Sequence, residues 1–283
     1  MSGEHDMREI TIKVVVENSV SERKYLSEHG LSFYIDTGSK KILFDCGQGA
    51  AFYSNLYPMG IYVSLIDIIA LSHGHYDHTG GLEYVLSRNS KAVVYAHPSA
   101  ILPKFKNDNG AVREIGMPEF SKNALAKRNS HFKQTTKPTE IAKGVFLTGE
   151  IPRGHEEERA WSENFCKDAA GKIPDDIPDD QSLFIKTSSG TVVLLGCAHS
   201  GLINTLDYIH KLTGGEAFAA VIGGTHLRSA SDERIRWTLN ELRRYKIGKI
   251  APAHCTGGPA TNAIMNAYPK SFEKCNTGSV FTF

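Results

Sequence analysis

The chain has 283 residues, 41% of them hydrophobic and 22% charged, with a net charge of +1 at neutral pH. These are ordinary globular values, and so nearly neutral a chain has no strong field to attract nucleic acid or a membrane surface. The expected partner is a small-molecule substrate, with no nucleic acid and no membrane. Five scattered cysteines with no CxxC pair do not form a disulfide framework and point to a reducing, cytoplasmic setting. The first ten residues are polar and acidic where a secretory leader is basic and then apolar. No apolar run approaches the length of a membrane span.

Residues 10–16 read as a first strand. Residues 31–45 read as a hairpin, with Phe33, Tyr34 and Ile35 in one arm, Ile42, Leu43 and Phe44 in the other, and Thr37-Gly38-Ser39 at the turn. Its second arm ends in ILFDCGQG. Asp45 there is either a carboxylate that orients a ligand or a turn-former ahead of Gly47. A short helix over 50–57 is closed by Pro58 and Gly60.

Residues 66–81, IDIIALSHGHYDHTGG, organise the rest. The aliphatic run has the length and β-branched content of a buried strand, so His73 sits where that strand reaches the surface. His73 and His75, two apart in a tight loop, can converge on one metal ion. Asp77 and His78 are adjacent and diverge from that pair, which suggests a second metal position beside the first. Imidazole with carboxylate suits zinc, and also manganese or iron. Histidine-rich scavenging tracts are low in complexity and do not follow a buried strand. Gly80 and Gly81 then turn the chain into a short helix over 81–87.

A strand over 91–96 ends at His97, which is expected to be structural. From 101 to 141 the pattern dissolves into Lys, Asn, Ser and Gly with scattered apolar residues. A second irregular stretch, 150–181, follows the strand 144–149. Stretches this long inside a compact domain are lids or insertions with small elements of their own, and both are expected near the active site. The acidic run PDDIPDDQ, including Asp180, is expected to be a solvated turn.

In the second half, strands over 182–186 and 191–195 lead into GCAHSG, so His199 repeats the placement of His73. A helix over 201–212 follows. The strand 218–222 exits at GGTHL with His226, an amphipathic helix spans 232–245, and the strand 247–251 exits at PAHCTGG with His254. One such histidine would be unremarkable. Several at equivalent strand exits imply a shared site, because ligands from different elements are needed to surround an ion.

HGHYDH after a hydrophobic strand and before TGG resembles the HxHxDH signature of the metallo-β-lactamase superfamily, and with the later segments the resemblance spans nearly the whole chain. It implies an α/β fold, a four-layer αβ/βα sandwich of two facing mixed sheets with helices outside, formed by a single domain over 1–283. It also implies two divalent metal ions. By that resemblance His73, His75 and His199 hold the first ion and Asp77, His78 and His254 the second. Asp77 also orients the attacking group, and His226, if not a ligand, hydrogen-bonds a phosphate or a developing oxyanion. The chain departs from the family's usual GDT-like segment, whose aspartate bridges the metals. Here either a water or hydroxide alone bridges, or Cys197 contributes a thiolate, with Asp45 behind the ligands.

LLGCAHSGLINTL, AVIGGTHL and APAHCTG, in that order, resemble a subgroup typified by a dihydropterin–aminobenzene ribofuranosyl phosphate synthase. That enzyme is dihydropteroate-synthase-like in reaction, joining an aminobenzene ribose phosphate to a dihydropterin with loss of pyrophosphate. The implied function is metal-dependent hydrolysis or group transfer on a small phosphorylated or pterin-like substrate. A lactonase or thioesterase is one alternative, and a metal-dependent sensor without turnover is another.

Overall fold

The computed structural model describes residues 9–128 and 131–283, with the backbone alone for 160–163. The first eight residues, on which the expectation about a leader rests, lie outside the described residues.

The strands read as continuous apolar runs because both of their faces are buried, and successive side chains alternate between them. Ile42 and Phe44 join one core cluster while Leu43 joins another. Val192 and Leu194 likewise face the first cluster, and Val193 and Leu195 face a third. A seven-stranded sheet runs in the order Val280–Thr282, Thr11–Val16, Ser32–Asp36, Lys41–Phe44, Ile68–Ala70, Val93–Ala96, Phe132–Gln134. A six-stranded sheet runs Ile247–Ala253, Phe218–Gly224, Gly190–Leu195, Leu183–Thr187, Val145–Leu147, Thr139–Ala142.

The central cluster lies between the sheets, with Phe33 and Phe44 from one and Leu183 and Ile222 from the other. Outside the first sheet pack the helices Ala50–Leu56, Leu82–Arg88 and Glu119–Ala126. Outside the second pack Leu202–Leu212, Asp232–Leu242 and Gly258–Ala267. This is the expected four-layer α/β sandwich. Both sheets are mixed, and their parallel strands decide where the chemistry goes. Lys41–Phe44, Ile68–Ala70 and Val93–Ala96 run parallel. Gly190–Leu195, Phe218–Gly224 and Ile247–Ala253 do the same. Parallel neighbours end on one edge, so Asp45 and His73 exit together, as do Cys197, His226 and His254.

The two irregular stretches meet each other. The hairpin Phe105–Asp108 with Ala111–Glu114 comes from the first, and Phe165–Cys166 from the second pairs with it to make a third, three-stranded sheet. The sequence conceals these strands because they are four residues or shorter, the hairpin arms are largely polar and the third strand is only two residues, so periodicity has nothing to act on.

The solvated reading of the acidic run is corrected. Asp175, Asp179 and Asp180 are all buried. Asp175 and Asp179 share Lys104 as countercharge, itself 2% exposed, whose Nζ lies 2.6 Å from Asp179 Oδ1 and 3.5 Å from Asp175 Oδ2. Asp179 Oδ2 also accepts from the Gly74 N–H at 2.7 Å, and Asp180 Oδ2 from the Ser200 N–H at 2.8 Å. The run therefore braces the turns that carry His73, His75 and His199.

Another carboxylate acts locally. The helix Ala50–Leu56 begins at Gly49, which has no side chain to cap it. Glu28 accepts instead from the N–H groups of Gln48, Gly49 and Ala51 at 3.0, 2.9 and 2.9 Å.

Two stability outcomes are expected in urea titration. Glu28→Ala exposes those helix N–H groups and should cost about 1–2 kcal/mol. Lys104→Met leaves two carboxylates buried without a cation and should cost about 3–5 kcal/mol. A Lys104→Met loss below about 1 kcal/mol would show that the acidic run relaxes to solvent once its partner is gone.

Candidate metal centre

Ring nitrogens crowd together at the joined edges of the two sheets. His73 Nε2 lies 2.8 Å from His75 Nδ1 and 3.2 Å from His199 Nε2. His78 Nε2 lies 3.3 Å from His254 Nε2 and 3.2 Å from Cys197 Sγ. Asp77 Oδ2 is 3.3 Å from His254 Nε2 and 3.9 Å from His78 Nε2. All these side chains are buried.

The opposite nitrogens reveal which atoms carry protons. Asp45, fully buried, accepts from the Ser72 N–H at 2.7 Å and the Ser72 hydroxyl at 2.6 Å. The serine oxygen is then free to accept from His73 Nδ1 at 2.8 Å. Asp45 Oδ2 also accepts from His78 Nδ1 at 2.7 Å. Asn18 Oδ1, fixed as an acceptor by the Gly30 N–H, takes the proton of His254 Nδ1 at 2.8 Å. With Nδ1 protonated on His73, His78 and His254, each neutral ring turns an Nε2 lone pair inward. Lone pairs aimed at one another in a dry site need a cation between them.

The spacing agrees. Two nitrogens on a tetrahedral ion, each about 2.0–2.1 Å from it, sit about 3.3 Å apart. The residues present fit a divalent ion.

Electrostatics point the same way. Burial holds His73, His75 and His199 well below the ordinary imidazole range, so they are neutral donors. Burial also opposes charge on His78, but the Asp45 and Asp77 carboxylates outweigh it and raise the ring to about 9. These carboxylates therefore demand positive charge at His78, from a proton or a metal. Burial disfavours the Asp77 anion too, yet His78, His254 and His29 hold its carboxyl well below the usual range.

Donor atoms within 4.8 Å of one another form four groups among the described residues: His73–Cys197–His199, His78–Cys197–His254, Cys197–His226–Cys255 and His29–Asp77–His254. Cys197 is common to three of them. Backbone strain marks the same place. Asp45, Ala198, His226 and His254 have φ of 63, 55, 51 and 51°, a left-handed conformation that costs non-glycine residues about 1–3 kcal/mol and persists only where packing imposes it.

The structure thus gathers His73, His75, Asp77, His78, His199 and His254. Asp45 stands behind His78, Cys197 stands between the two histidine groups, and His226 stands beside His199 with ring centroids 4.4 Å apart. His97 turns away, bonded to Glu150 Oε1 at 3.1 Å and accepting from the Ser99 N–H.

Sequence reasoning missed His29, whose Nε2 is 3.1 Å from Asp77 Oδ2, and Asn18; single polar residues in an early loop carry no local signal. It also missed Cys255, although adjacency to His254 in HCTG was a visible clue. A cavity of about 430 Å³ opens over the cluster, walled by Phe165, Tyr76 and Ile115 and bearing Lys106, Arg113 and Arg228, with Asp77 its one acidic lining residue among the described residues.

Comparison with known proteins agrees with this architecture. A 7,8-dihydropterin-6-methyl-4-(β-D-ribofuranosyl)-aminobenzene-5′-phosphate synthase of Methanocaldococcus jannaschii is 31% identical over 271 residues, spanning 92% of this chain and 91% of that protein. An uncharacterised protein of the same organism is 33% identical over 254 residues, spanning 89% of this chain and 93% of its own length. The crystal structure of Tm1679, a metal-dependent hydrolase of the β-lactamase superfamily, superposes with a TM-score of 0.79 at 28% identity, covering 96% of this chain and 98% of that one. The family model of the metallo-β-lactamase superfamily matches residues 28–254. With that match running from the loop of His29 through His254, the chain belongs to the metallo-β-lactamase superfamily.

Proposed function

We propose that this chain is a metal-dependent hydrolase or transferase acting on a small phosphorylated substrate, with a planar, pterin-like ring as the best candidate for its other end. His73, His75 and His199 hold one divalent ion in this reading. Asp77, His78 and His254 hold the second, and the Cys197 sulfur lies between them, within reach of both histidine groups. Zinc suits this mixture of nitrogen, oxygen and sulfur donors best.

The observation that carries the reading is the convergence of Nε2 lone pairs whose Nδ1 protons are tied back to Asp45, Ser72 and Asn18. When bound, such a pair of ions supplies an activated water and neutralises charge on a leaving oxygen.

The protein's own groups do the rest. Lys106 and Arg113 project from the paired hairpin, sharing Asp108 at 3.4 and 3.2 Å, and Arg228 donates to the His254 carbonyl at 3.2 Å. Three cations around one cavity bind a phosphate or pyrophosphate group and hold it toward the histidines. Phe165 and Tyr76 offer an apolar wall for a planar ring. Asp77 orients the attacking group, and His226 stabilises charge that develops on the departing oxygen. The printed name of the 31% identical relative contains both a dihydropterin and a 5′-phosphate, which supports the same substrate class.

The test is thermal unfolding of the metal-loaded protein against reduced pterins, sugar phosphates, nucleotides, lactones and thioesters. A true ligand at a hundredfold excess over its Kd stabilises by about 2.7 kcal/mol. Stabilisation is expected from phosphorylated compounds and reduced pterins, and should fall away for the phosphates in a Lys106→Ala/Arg113→Ala variant that keeps its metal. Stabilisation by lactones or thioesters alone would overturn the substrate class. In a second measurement, His73→Ala should lose bound metal and at least about 100-fold in turnover; a folded variant with full turnover would refute metal catalysis.

A further inference from the structure

Beside the proposed pair, Cys197 belongs to one more group of donors, whose other members, His226 and Cys255, are not ligands of the pair. Cys197 leaves the strand Gly190–Leu195, His226 leaves the neighbouring strand Phe218–Gly224, and Cys255 sits in the turn His254–Thr256 after the next strand, Ile247–Ala253. One ligand atom from each lies within 4.8 Å of the others, and all three residues line the cavity.

The backbone is shaped to bring the sulfur of Cys255 inward. A Cβ at Gly224 would come within 2.7 Å of Cys255 Sγ, so only glycine lets that sulfur rest against the strand. The His226 N–H donates to Cys255 Sγ at 3.3 Å, and the Cys255 thiol donates to the Cys197 carbonyl oxygen at 3.5 Å. An ion at this position takes the place of that thiol proton.

We propose that Cys197, His226 and Cys255 form a further, sulfur-rich cation position, selective for a thiophilic ion such as zinc or cadmium. Two thiolates and an imidazole are a soft donor set, unlike the carboxylate and imidazole groups of the neighbouring pair, and they disfavour manganese or magnesium. Binding forms two metal–sulfur bonds and one metal–nitrogen bond, and the two thiol protons pass to solvent.

Cys197 also belongs to both groups of the pair, and a thiolate joins two ions readily but not three. An ion at the sulfur-rich position therefore competes for Cys197 with the pair. The position is an alternative seat, filled when thiophilic metal is in excess. The assignment rests on the reading of the pair only through this shared sulfur.

The test is titration of chelator-treated full-length chain with cadmium, following the ultraviolet absorbance of the cadmium–thiolate bond and the protons released. The wild-type band should have the amplitude of two thiolates, and Cys255→Ser should halve it. His226→Ala should keep the amplitude and weaken the affinity about tenfold or more. A wild-type band in folded Cys255→Ser overturns the proposal. Should Cys255→Ser fail to fold, cadmium NMR of the wild-type chain counts the sulfurs on each ion. A cadmium signal with two sulfurs and one nitrogen upholds the position, and no such signal overturns it.

Manganese titration separates this from the pair. Two manganese ions per chain in both wild type and Cys255→Ser would uphold the pair whatever cadmium does. Fewer than two in the wild type would count against the pair and leave the cadmium result to stand by itself.

Discussion

The interaction on which the rest of this structure depends is the buried carboxylate of Asp45. It is fully excluded from solvent, sits in a left-handed backbone conformation, and accepts three short hydrogen bonds from Ser72 and His78. A carboxylate in such a place is tolerable only if its acceptor capacity is met. Meeting it fixes the tautomer of His78 directly and that of His73 through Ser72. The strand Ile68–Ala70 therefore ends in a rigid loop whose imidazoles have one orientation, and everything facing that loop must complement inward lone pairs. The left-handed turns at Ala198, His226 and His254 are the answering strain on the opposite sheet.

The two halves of the site come from two sheets, and the seam between them is tightly drawn. Gln181 donates its backbone N–H to the Ser72 carbonyl and its side-chain amide to the Leu71 carbonyl, each at 2.9 Å. A Cβ at Gly196 would collide with the Ser72 hydroxyl. The second sheet thus presses its Gly196–Cys197 turn onto the residue that links Asp45 to His73. This turn delivers the sulfur of Cys197 to the floor of the cavity, and Cys255 adds another behind it. The floor of the cavity is softer than the HxHxDH signature alone implies, while its rim, with Lys106, Arg113 and Arg228, is hard and cationic.

Much of this was legible in the sequence, for a physical reason. A strand buried on both faces must be an unbroken aliphatic run, so its end is visible, and a histidine there announces an edge. His73, His199, His226 and His254 were found that way, and the helices between them by their periodicity. What was hidden depended on partners far along the chain. Asp179 and Asp180 read as solvated because nothing near them is basic, and the cation that buries Asp179 is Lys104, 75 residues earlier. The three-stranded sheet was hidden because its strands are too short to show a period, and the one buried aromatic among them, Phe165, packs against Ile115 and Ile177 from separate stretches. His29 and Asn18 were invisible because orienting a ligand asks for one side chain with no surrounding pattern.

The division of the site between sheets has a consequence for how the protein is made. His254 follows His78 by 176 residues. At roughly 5–20 residues per second of synthesis, the first-sheet donors emerge about 9–35 seconds before the last of their partners. During that interval HGHYDH is an open half-shell that any cation can visit and leave. Only when the second sheet docks do His199, Cys197 and His254 complete the cluster, so under the proposed metal reading selection falls to the finished shell and not to the order of encounter.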